Sequence, residues 1–355
     1  MTKARQAREV RPTWHPRLVN GRYGDPALFV PALHRADALL FDLGELTPLS
    51  TRDLLRVTHI FVSHRHMDHF IGFDRLLRVH IGREKRLTLV GPAGLAAAVG
   101  HKLHAYSWDL VDRYEADLMI DAIEAEGPDA LAAVRFRLKT GFAAEPIAPP
   151  ACEPGPRIVW PDFRLDIALL KHHGVSLGFA IEEPRHVNVW RNRLEERGLA
   201  PGPWLQTLKR AVTDGAPADT MIPLPDGQAA PLGALADLVS IERGQRLAYV
   251  TDIADTTANR AAVARLARGA DLLFIEASFA AADAAQAARR AHLTTAAAGE
   301  MARAAGVRRV EPFHFSPRYE GEEARMLAEV EAAFGGEGTR HRPIHSDLQG
   351  GQDDG

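Results

Sequence analysis

The sequence predicts a layered α/β protein, on two main observations. Strand-like apolar runs alternate with helix-like stretches, most clearly where Arg246–Thr251, Thr257–Ala267 and Asp271–Glu276 read as strand, helix and strand. The apolar run Thr58-His59-Ile60-Phe61-Val62 then opens into the polar loop Ser63-His64-Arg65-His66-Met67-Asp68-His69, so a reactive loop sits at the mouth of a strand. A chain of 355 residues with 46% hydrophobic content can bury a large core, and a layered fold of this size fits one domain.

The elements follow in chain order. Ala38–Asp42 and Thr58–Ser63 are apolar enough to be buried strands, and Phe70–Val79 reads as a helix behind the histidine loop. Leu87–Val90 is a short strand that Gly91-Pro92 should close before a further helix. Gly141–Pro156, rich in Pro and Ala, reads as a loop between two halves. Pro201-Gly202-Pro203, Pro223-Leu224-Pro225-Asp226-Gly227 and Pro231 mark residues 183–236 as an insertion. Thr294–Ala305 is Ala-rich with good helix propensity, and Val307–Phe313 is the last strand. The reading is one catalytic domain over residues 1–334, with the 183–236 arm inserted, and a polar, Gly-rich tail at 335–355 that is predicted to be disordered. No role is assigned to His341 or His345 in that tail.

Three histidines and one aspartate occupy six positions, 64 to 69. A strand that ends in a tight loop points alternate side chains in different directions. His64 and His66 can therefore converge on one metal while Asp68 and His69 turn towards a second. Imidazole and carboxylate are the usual ligands of hydrolytic metal sites, which keep one position open for water. A solvated His-rich turn is the plainer reading, and the complete H-x-H-x-D-H pattern after a strand outweighs it.

Composition fits a soluble enzyme. The formal net charge of -3 argues against a protein coated in basic patches, although a local basic appendage suffices for RNA. Residues 185–210 hold Arg185, Arg191, Arg193, Arg197, Lys209 and Arg210 against Glu195 and Glu196. The single cysteine, Cys152, excludes an internal disulfide framework and fits a reducing cytoplasm. The start Met1–Arg8 leads into no apolar core, so no secretory signal is expected, and no apolar run reaches the ~18 residues of a membrane span.

The histidine loop resembles that of the metallo-β-lactamase superfamily, which implies a four-layer αβ/βα sandwich with a dinuclear metal site at one edge. The resemblance asks for a third histidine after a strand, and Leu169-Leu170-Lys171-His172-His173-Gly174 offers two. It asks for a bridging aspartate, filled by Asp252 after Arg246–Thr251, and a last histidine, filled by His314 after Arg309–Phe313. Within the superfamily the chain is similar to ribonuclease Z, the endonuclease that trims the 3′ trailer of precursor tRNA. His172-His173-Gly174-Val175-Ser176-Leu177-Gly178-Phe179 is similar to its third-ligand segment; the six-residue spacing to Gly178-Phe179 favours His172, whereas the His-Gly-Val triplet would select His173. The run from Leu194 to Lys209, with Gly202-Pro203, looks like the Gly-Pro segment of its tRNA-binding arm. Phe274-Ile275-Glu276-Ala277-Ser278-Phe279 resembles its His-Glu-Ala-Thr motif with Ile275 in place of the histidine, and Ala291-His292-Leu293-Thr294-Thr295 resembles the segment carrying its catalytic histidine.

The resemblance implies His64, His66 and His172 on one metal, Asp68, His69 and His314 on the other, and Asp252 bridging. Zinc is the default, and Mn or Fe suits the same donors. Two such ions would lower the pKa of a bridging water and clamp the phosphate oxygens. Asp68 would also orient or deprotonate the water, His292 would stabilise the phosphoryl charge or protonate the leaving oxygen, and Glu276 would orient an imidazole from behind. The plainer readings are a helix-start residue for His292 and a buried or capping carboxylate for Glu276. His59, His80, His101, His104 and His186 lie off the pattern and read as structural or surface residues. A homodimer and a tRNA or other RNA partner are implied, with no membrane partner.

The departures bear on substrate. Val19–Val30 lacks the family's opening Gly-Thr-Gly turn and its Pro- and Arg-bearing loop, and Asp-Cys-Gly-Glu appears as Asp42-Leu43-Gly44-Glu45. The alternatives are therefore a hydrolase of a small substrate on the same fold (a cyclic nucleotide, other phosphodiester, lactone or thioester) and a catalytically silent homologue, against which the full ligand set argues.

Overall fold

The computed structural model of the chain describes residues 13–33, 35–127 and 130–335. The predicted tail lies outside these residues beyond Gly335, as do His341 and His345. The described chain divides into two compact units, one holding Pro161–Arg164 and Glu182–Gln245, the other the remainder.

The larger unit begins with an eight-stranded sheet in simple chain order: β1 (Arg17–Leu18), β2 (Leu28–Pro31), β3 (Ala38–Phe41), β4 (Val57–Phe61), β5 (Lys85–Pro92), β6 (Leu118–Ala125), β7 (Leu131–Arg137) and β8 (Glu145–Ile147). Strands β3 to β6 are parallel, and the edges are antiparallel hairpins. Parallel neighbours need crossovers, supplied by α1 (Thr51–Arg56), α2 (Phe73–His80) and α3 (Leu95–Leu103). Leu54 of α1, Leu76 and Leu77 of α2, and Leu95, Val99 and Leu103 of α3 join Leu40, Ile60, Leu89 and Ile120 in one core on the helix-covered face.

After β9 (Cys152–Glu153), β10 (Arg157–Val159), β11 (Arg164–Lys171) and β12 (Val175–Glu182) the chain enters the smaller unit. That unit contains β13 (His186–Val189), α4 (Arg191–Glu196), α5 (Trp204–Thr213), β14 (Met221–Pro223), β15 (Ala229–Pro231) and β16 (Val239–Glu242). Pairs β13–β16 and β14–β15 surround a separate core of Leu194, Trp204, Leu208, Ile222, Leu232, Leu235 and Leu238. The arm is thus a folded module of Glu182–Gln245, longer at both ends than residues 183–236. At its base the Glu183 N–H donates to Gln245 O at 3.0 Å.

The chain then completes the larger unit with β17 (Arg246–Val250), α6 (Thr257–Leu266), β18 (Leu272–Glu276), α7 (Ala284–Arg290), α8 (Thr295–Ala305), β19 (Val310–Phe313) and α9 (Glu323–Phe334). The second sheet runs β19-β18-β17-β12-β11-β10-β9, with β17, β18 and β19 parallel. A second core gathers Val250, Leu273 and Ile275 of this sheet with Val263 of α6, Met301 of α8 and Met326 of α9. The sheets meet through an aromatic cluster: Phe41 and Phe61 of the first contact Phe179 of the second at centroid distances of 6.2 and 5.7 Å, and Phe41 lies 5.2 Å from Tyr249. Helices, sheet, sheet and helices give the predicted four layers.

Several boundaries differ from the sequence reading. The helix expected from Phe70 starts at Phe73, because Met67–His69 first makes a 3₁₀ turn. Gly91 and Pro92 do not close β5; they stay paired with Glu124 and Ala125. The expected loop 141–156 carries the edge strands β8 and β9, whose pairing to β7 and β10 leaves no apolar run in the sequence. The last strand starts at Val310, three residues later than expected.

Helix α8 packs on α9 at Gly299, where a Cβ would lie 2.4 Å from Val330 O and 2.6 Å from Ala333 Cβ. Gly299→Val should therefore cost about 1–3 kcal/mol through overpacking. A urea-unfolding midpoint lowered at unchanged slope would show it, and an unchanged midpoint would refute the tight contact.

Candidate metal centre

The parallel strands deliver the polar residues to one edge. Asp42 follows β3, His64 to His69 follow β4, His172 follows β11, Asp252 follows β17, Glu276 ends β18 and His314 follows β19. Three of these strand exits are sharp, with Asp42 at φ 55°, Asp252 at 47° and His314 at 58°. A left-handed backbone costs a non-glycine residue about 1–2 kcal/mol, and Asp and His tolerate it better than most. Such outliers clustered at one site mark backbone bent to aim side chains inward.

Ligand-capable atoms form two main groups, each within 4.8 Å: His64, His66, His172 and Asp252, and Asp68, His69 and His314. Asp252 lies between them. Its Oδ2 is 3.6 Å from His64 Nε2, 3.7 Å from His172 Nε2 and 3.5 Å from His69 Nε2, while Oδ1 is 3.1 Å from His314 Nδ1. Asp68 Oδ2 is 3.4 Å from His69 Nε2 and 3.6 Å from His314 Nε2. His172 is buried and belongs to the cluster; His173 is exposed and does not. The cluster also brings in His292, grouped with Asp252 and His314.

These donors fit divalent ions. His64 Nε2 and His69 Nε2 are buried without any hydrogen-bond partner, which is costly unless something else satisfies them. The opposite nitrogens are occupied: His69 Nδ1 donates to Asp42 Oδ2 at 2.9 Å, His172 Nδ1 to Ala291 O at 2.8 Å, and His64 Nδ1 lies 3.1 Å from Ser63 Oγ. Occupied Nδ1 atoms fix the tautomer that turns Nε2 inward, as in metal-binding imidazoles.

Charge completes the case. Burial holds His64 neutral, with its pKa pushed down to about 3, and burial also lowers His172. Burial opposes protonation of His69 and His314 too, yet Asp252 outweighs it in both, with Asp42 helping at His69 and Asp68 at His314; His69 is raised well above its usual value and His314 to about 10. Burial would raise Asp252 and Asp68, but their imidazole neighbours hold both below the usual carboxylate range. Without an ion, protonated histidines thus supply the positive charge that the carboxylates require.

Sequence reasoning missed the group behind the ligands. The buried Asp42 carboxylate accepts from the Ser63 N–H at 2.6 Å, Ser63 Oγ at 2.8 Å, Tyr249 Oη at 2.8 Å and His69. The local signals were an aspartate ending an apolar strand and the Asp42-Leu43-Gly44-Glu45 stretch, neither of which named its partners. Glu276 lies 3.0 Å from His292 Nδ1 and accepts from the Ile253 N–H and Ser278 Oγ, both at 2.7 Å. In the divergent opening loop, Arg22 brackets His314: its guanidinium donates to Pro312 O and pairs with Glu311 at 2.9 Å, and its carbonyl accepts from the Phe315 N–H at 2.8 Å. Of the other histidines, His80 is buried and donates to Leu76 O, and His186 faces Glu183 in the arm.

Two predictions follow from this geometry. Asp42→Asn should weaken divalent-metal affinity about 10–100-fold, with Tyr249→Phe costing less; chelator competition measures both. Zinc added to metal-free protein near pH 7 should release protons, because binding must displace them from His69 and His314. For His314 the linkage places the rise in affinity as pH climbs towards about 10. Calorimetry in buffers of different ionisation enthalpy reads the release, and zero protons would contradict the charge pattern.

Residues 217–315 match the Beta-lactamase superfamily domain. The chain is 35% identical over 300 residues to ribonuclease Z of Deinococcus radiodurans, covering 83% of this chain and 88% of the relative. It is 30% identical over 316 residues to ribonuclease BN of Cronobacter sakazakii, covering 86% and 87%. The metallo-β-lactamase fold protein YhfI of Bacillus subtilis superposes with a TM-score of 0.52 at 14% identity, covering 90% of this chain and 92% of that one, which supports the fold. With the sandwich, the histidine-aspartate edge and this extent of identity in agreement, the chain belongs to the ribonuclease Z family of the metallo-β-lactamase superfamily.

Proposed function

We propose that this protein is a metal-dependent endoribonuclease that cleaves the 3′ trailer from precursor tRNA. The observation that carries the reading is the convergence of His64, His66, Asp68, His69, His172, Asp252 and His314 at one edge, in a chain 35% identical to a ribonuclease Z. Zinc is the ion that this imidazole-rich set would favour; His64, His66 and His172 would hold one and Asp68, His69 and His314 another, with Asp252 beside both groups. No helix among the described residues is long and apolar enough to cross a membrane.

Ions bound there supply a water of lowered pKa and positive charge for the phosphate. The remaining work falls to side chains. Asp68 is 41% exposed on its side chain, so it faces the space where water and substrate meet, and His69 and His314 keep it ionised. Held ionised there, it is placed to orient the attacking water. Burial disfavours protonation of His292, but Glu276 outweighs it and raises the imidazole's pKa, which suits a proton donor to the leaving oxygen. Ile253 and Ser278 hold Glu276 in place behind it.

The arm is the proposed tRNA-binding surface. Arg191 pairs with Glu195, Arg193 donates to Asp237 O, and Arg197 binds Ala234 O and Asp237, so these three cations serve the arm's own fold. Arg185, Lys209 and Arg210 have no such partner among the described residues and form the proposed RNA contacts. A homodimer is proposed from the family likeness, with light scattering as its test.

Metal-loaded protein should cut a precursor tRNA next to the discriminator base, and Asp68→Ala should abolish the cut. Replacing residues 185–243 by a short turn, across an arm base already closed by Glu183 and Gln245, should reduce that cleavage about 100-fold or more, the scale lost with several phosphate contacts. Hydrolysis of bis(p-nitrophenyl) phosphate should survive the deletion. Absence of any cut by the intact enzyme, with diester hydrolysis retained, would remove tRNA as the substrate. Glu276→Gln removes the charge that raises His292, so the basic limb of the kcat profile should move to lower pH; an unmoved limb would exclude His292 as the proton donor.

A further inference from the structure

A cleft of about 470 Å³ opens beside the centre, lined by His64, His66 and His172 together with Arg65, Glu126 and Val175. Its size is that of a site for a small organic group such as one nucleotide. Arg65 is exposed, and among the described residues it makes no hydrogen bond or ion pair. A Cβ on Gly94 would lie 3.0 Å from Arg65 Nη2, 3.1 Å from Cζ and 3.5 Å from Nη1, so the guanidinium lies across the bare glycine backbone. Gly94 has φ 87°, a conformation that favours glycine, and it immediately precedes α3.

A guanidinium with no protein partner among the described residues, lining a cleft next to the proposed phosphodiester centre, is suited to a bidentate anion. We propose that Arg65 is a specificity-determining residue that binds a backbone phosphate of single-stranded RNA neighbouring the scissile one, with the intervening nucleotide in the cleft. This rests on the endonuclease reading and narrows it to substrates with at least two consecutive phosphates. Glu126 fits the same occupant: its carboxylate would repel a phosphate but accept from a base amino group such as cytosine N4. Val175, 53% exposed, offers the base an apolar surface.

The test compares Arg65→Gln, Arg65→Lys and Gly94→Ala with the wild type on precursor tRNA and on bis(p-nitrophenyl) phosphate, which has no neighbouring phosphate. Arg65→Gln should raise KM for the precursor about tenfold, the scale of one charge-assisted contact, with kcat for the precursor nearly constant. The ratio of precursor to diester kcat/KM should fall by the same factor. The slope of log KM against log salt should shrink by roughly 0.7–1, a loss that a purely structural role would not produce. Arg65→Lys should keep the salt slope while losing part of the affinity, and Gly94→Ala should weaken precursor binding by displacing an intact Arg65. Equal losses on both substrates, or an unchanged KM and salt slope, would overturn the proposal. If the wild type hydrolyses the diester but not the precursor, the endonuclease reading fails separately. A single-stranded RNA hexanucleotide then serves as competitive inhibitor of diester hydrolysis: a Ki weakened about tenfold in Arg65→Gln upholds the phosphate contact, and an equal Ki refutes it.

Discussion

The Asp42 carboxylate is where the two sheets and the ligand loop are tied together. It leaves β3 of the first sheet, takes two hydrogen bonds from Ser63 at the end of β4, receives Tyr249 from β17 of the second sheet, and holds His69 by Nδ1. It is fully buried, so each lost donor would expose part of a desolvated charge. Four donors from three separated stretches satisfy it only when the sheets are stacked in register. The aromatic cluster of Phe41, Phe61, Phe179 and Tyr249 provides that stacking around it. The hydrophobic contact between the sheets and the aim of His69 are thus the same structural event.

This explains which parts of the site were legible in the sequence. Four ligands crowd into residues 64–69, so one strand and one turn suffice to read them. His172, Asp252 and His314 each stand alone after a strand and became readable only through a family likeness. Asp42 escaped because its meaning lies in partners 21, 27 and 207 positions away. The same holds for the fold. The parallel strands β17 and β18 are buried at every position and announce themselves as apolar runs. Strands β8 and β9 sit at sheet edges, read as a Pro-rich loop, and exist through pairing alone.

The charge arrangement shows why such a cluster can fold before any ion arrives. The two buried carboxylates, Asp42 and Asp252, would be prohibitive by themselves, and protonated His69 and His314 offset them. His64 and His172 stay neutral, because further positive charge would have no counterpart. The arrangement therefore holds ligands in place at the expense of protons that a metal must displace, which couples assembly of the centre to pH.

The proposed chemistry and the proposed recognition fall to separate parts of this chain. The arm has its own core and closes its own base, and three of its six arginines, Arg191, Arg193 and Arg197, bond within it. The opening loop likewise has turned to structure: Arg22 clamps the backbone on both sides of His314, so the departure from the family pattern there supports a ligand. Arg65 is the reverse case, a cation that the fold positions and leaves unpaired beside the ligands. Its guanidinium lies over the bare backbone of Gly94, a residue in the left-handed region just before α3. Among the described residues Arg65 satisfies no group of its own protein, so its charge is open to whatever enters the cleft.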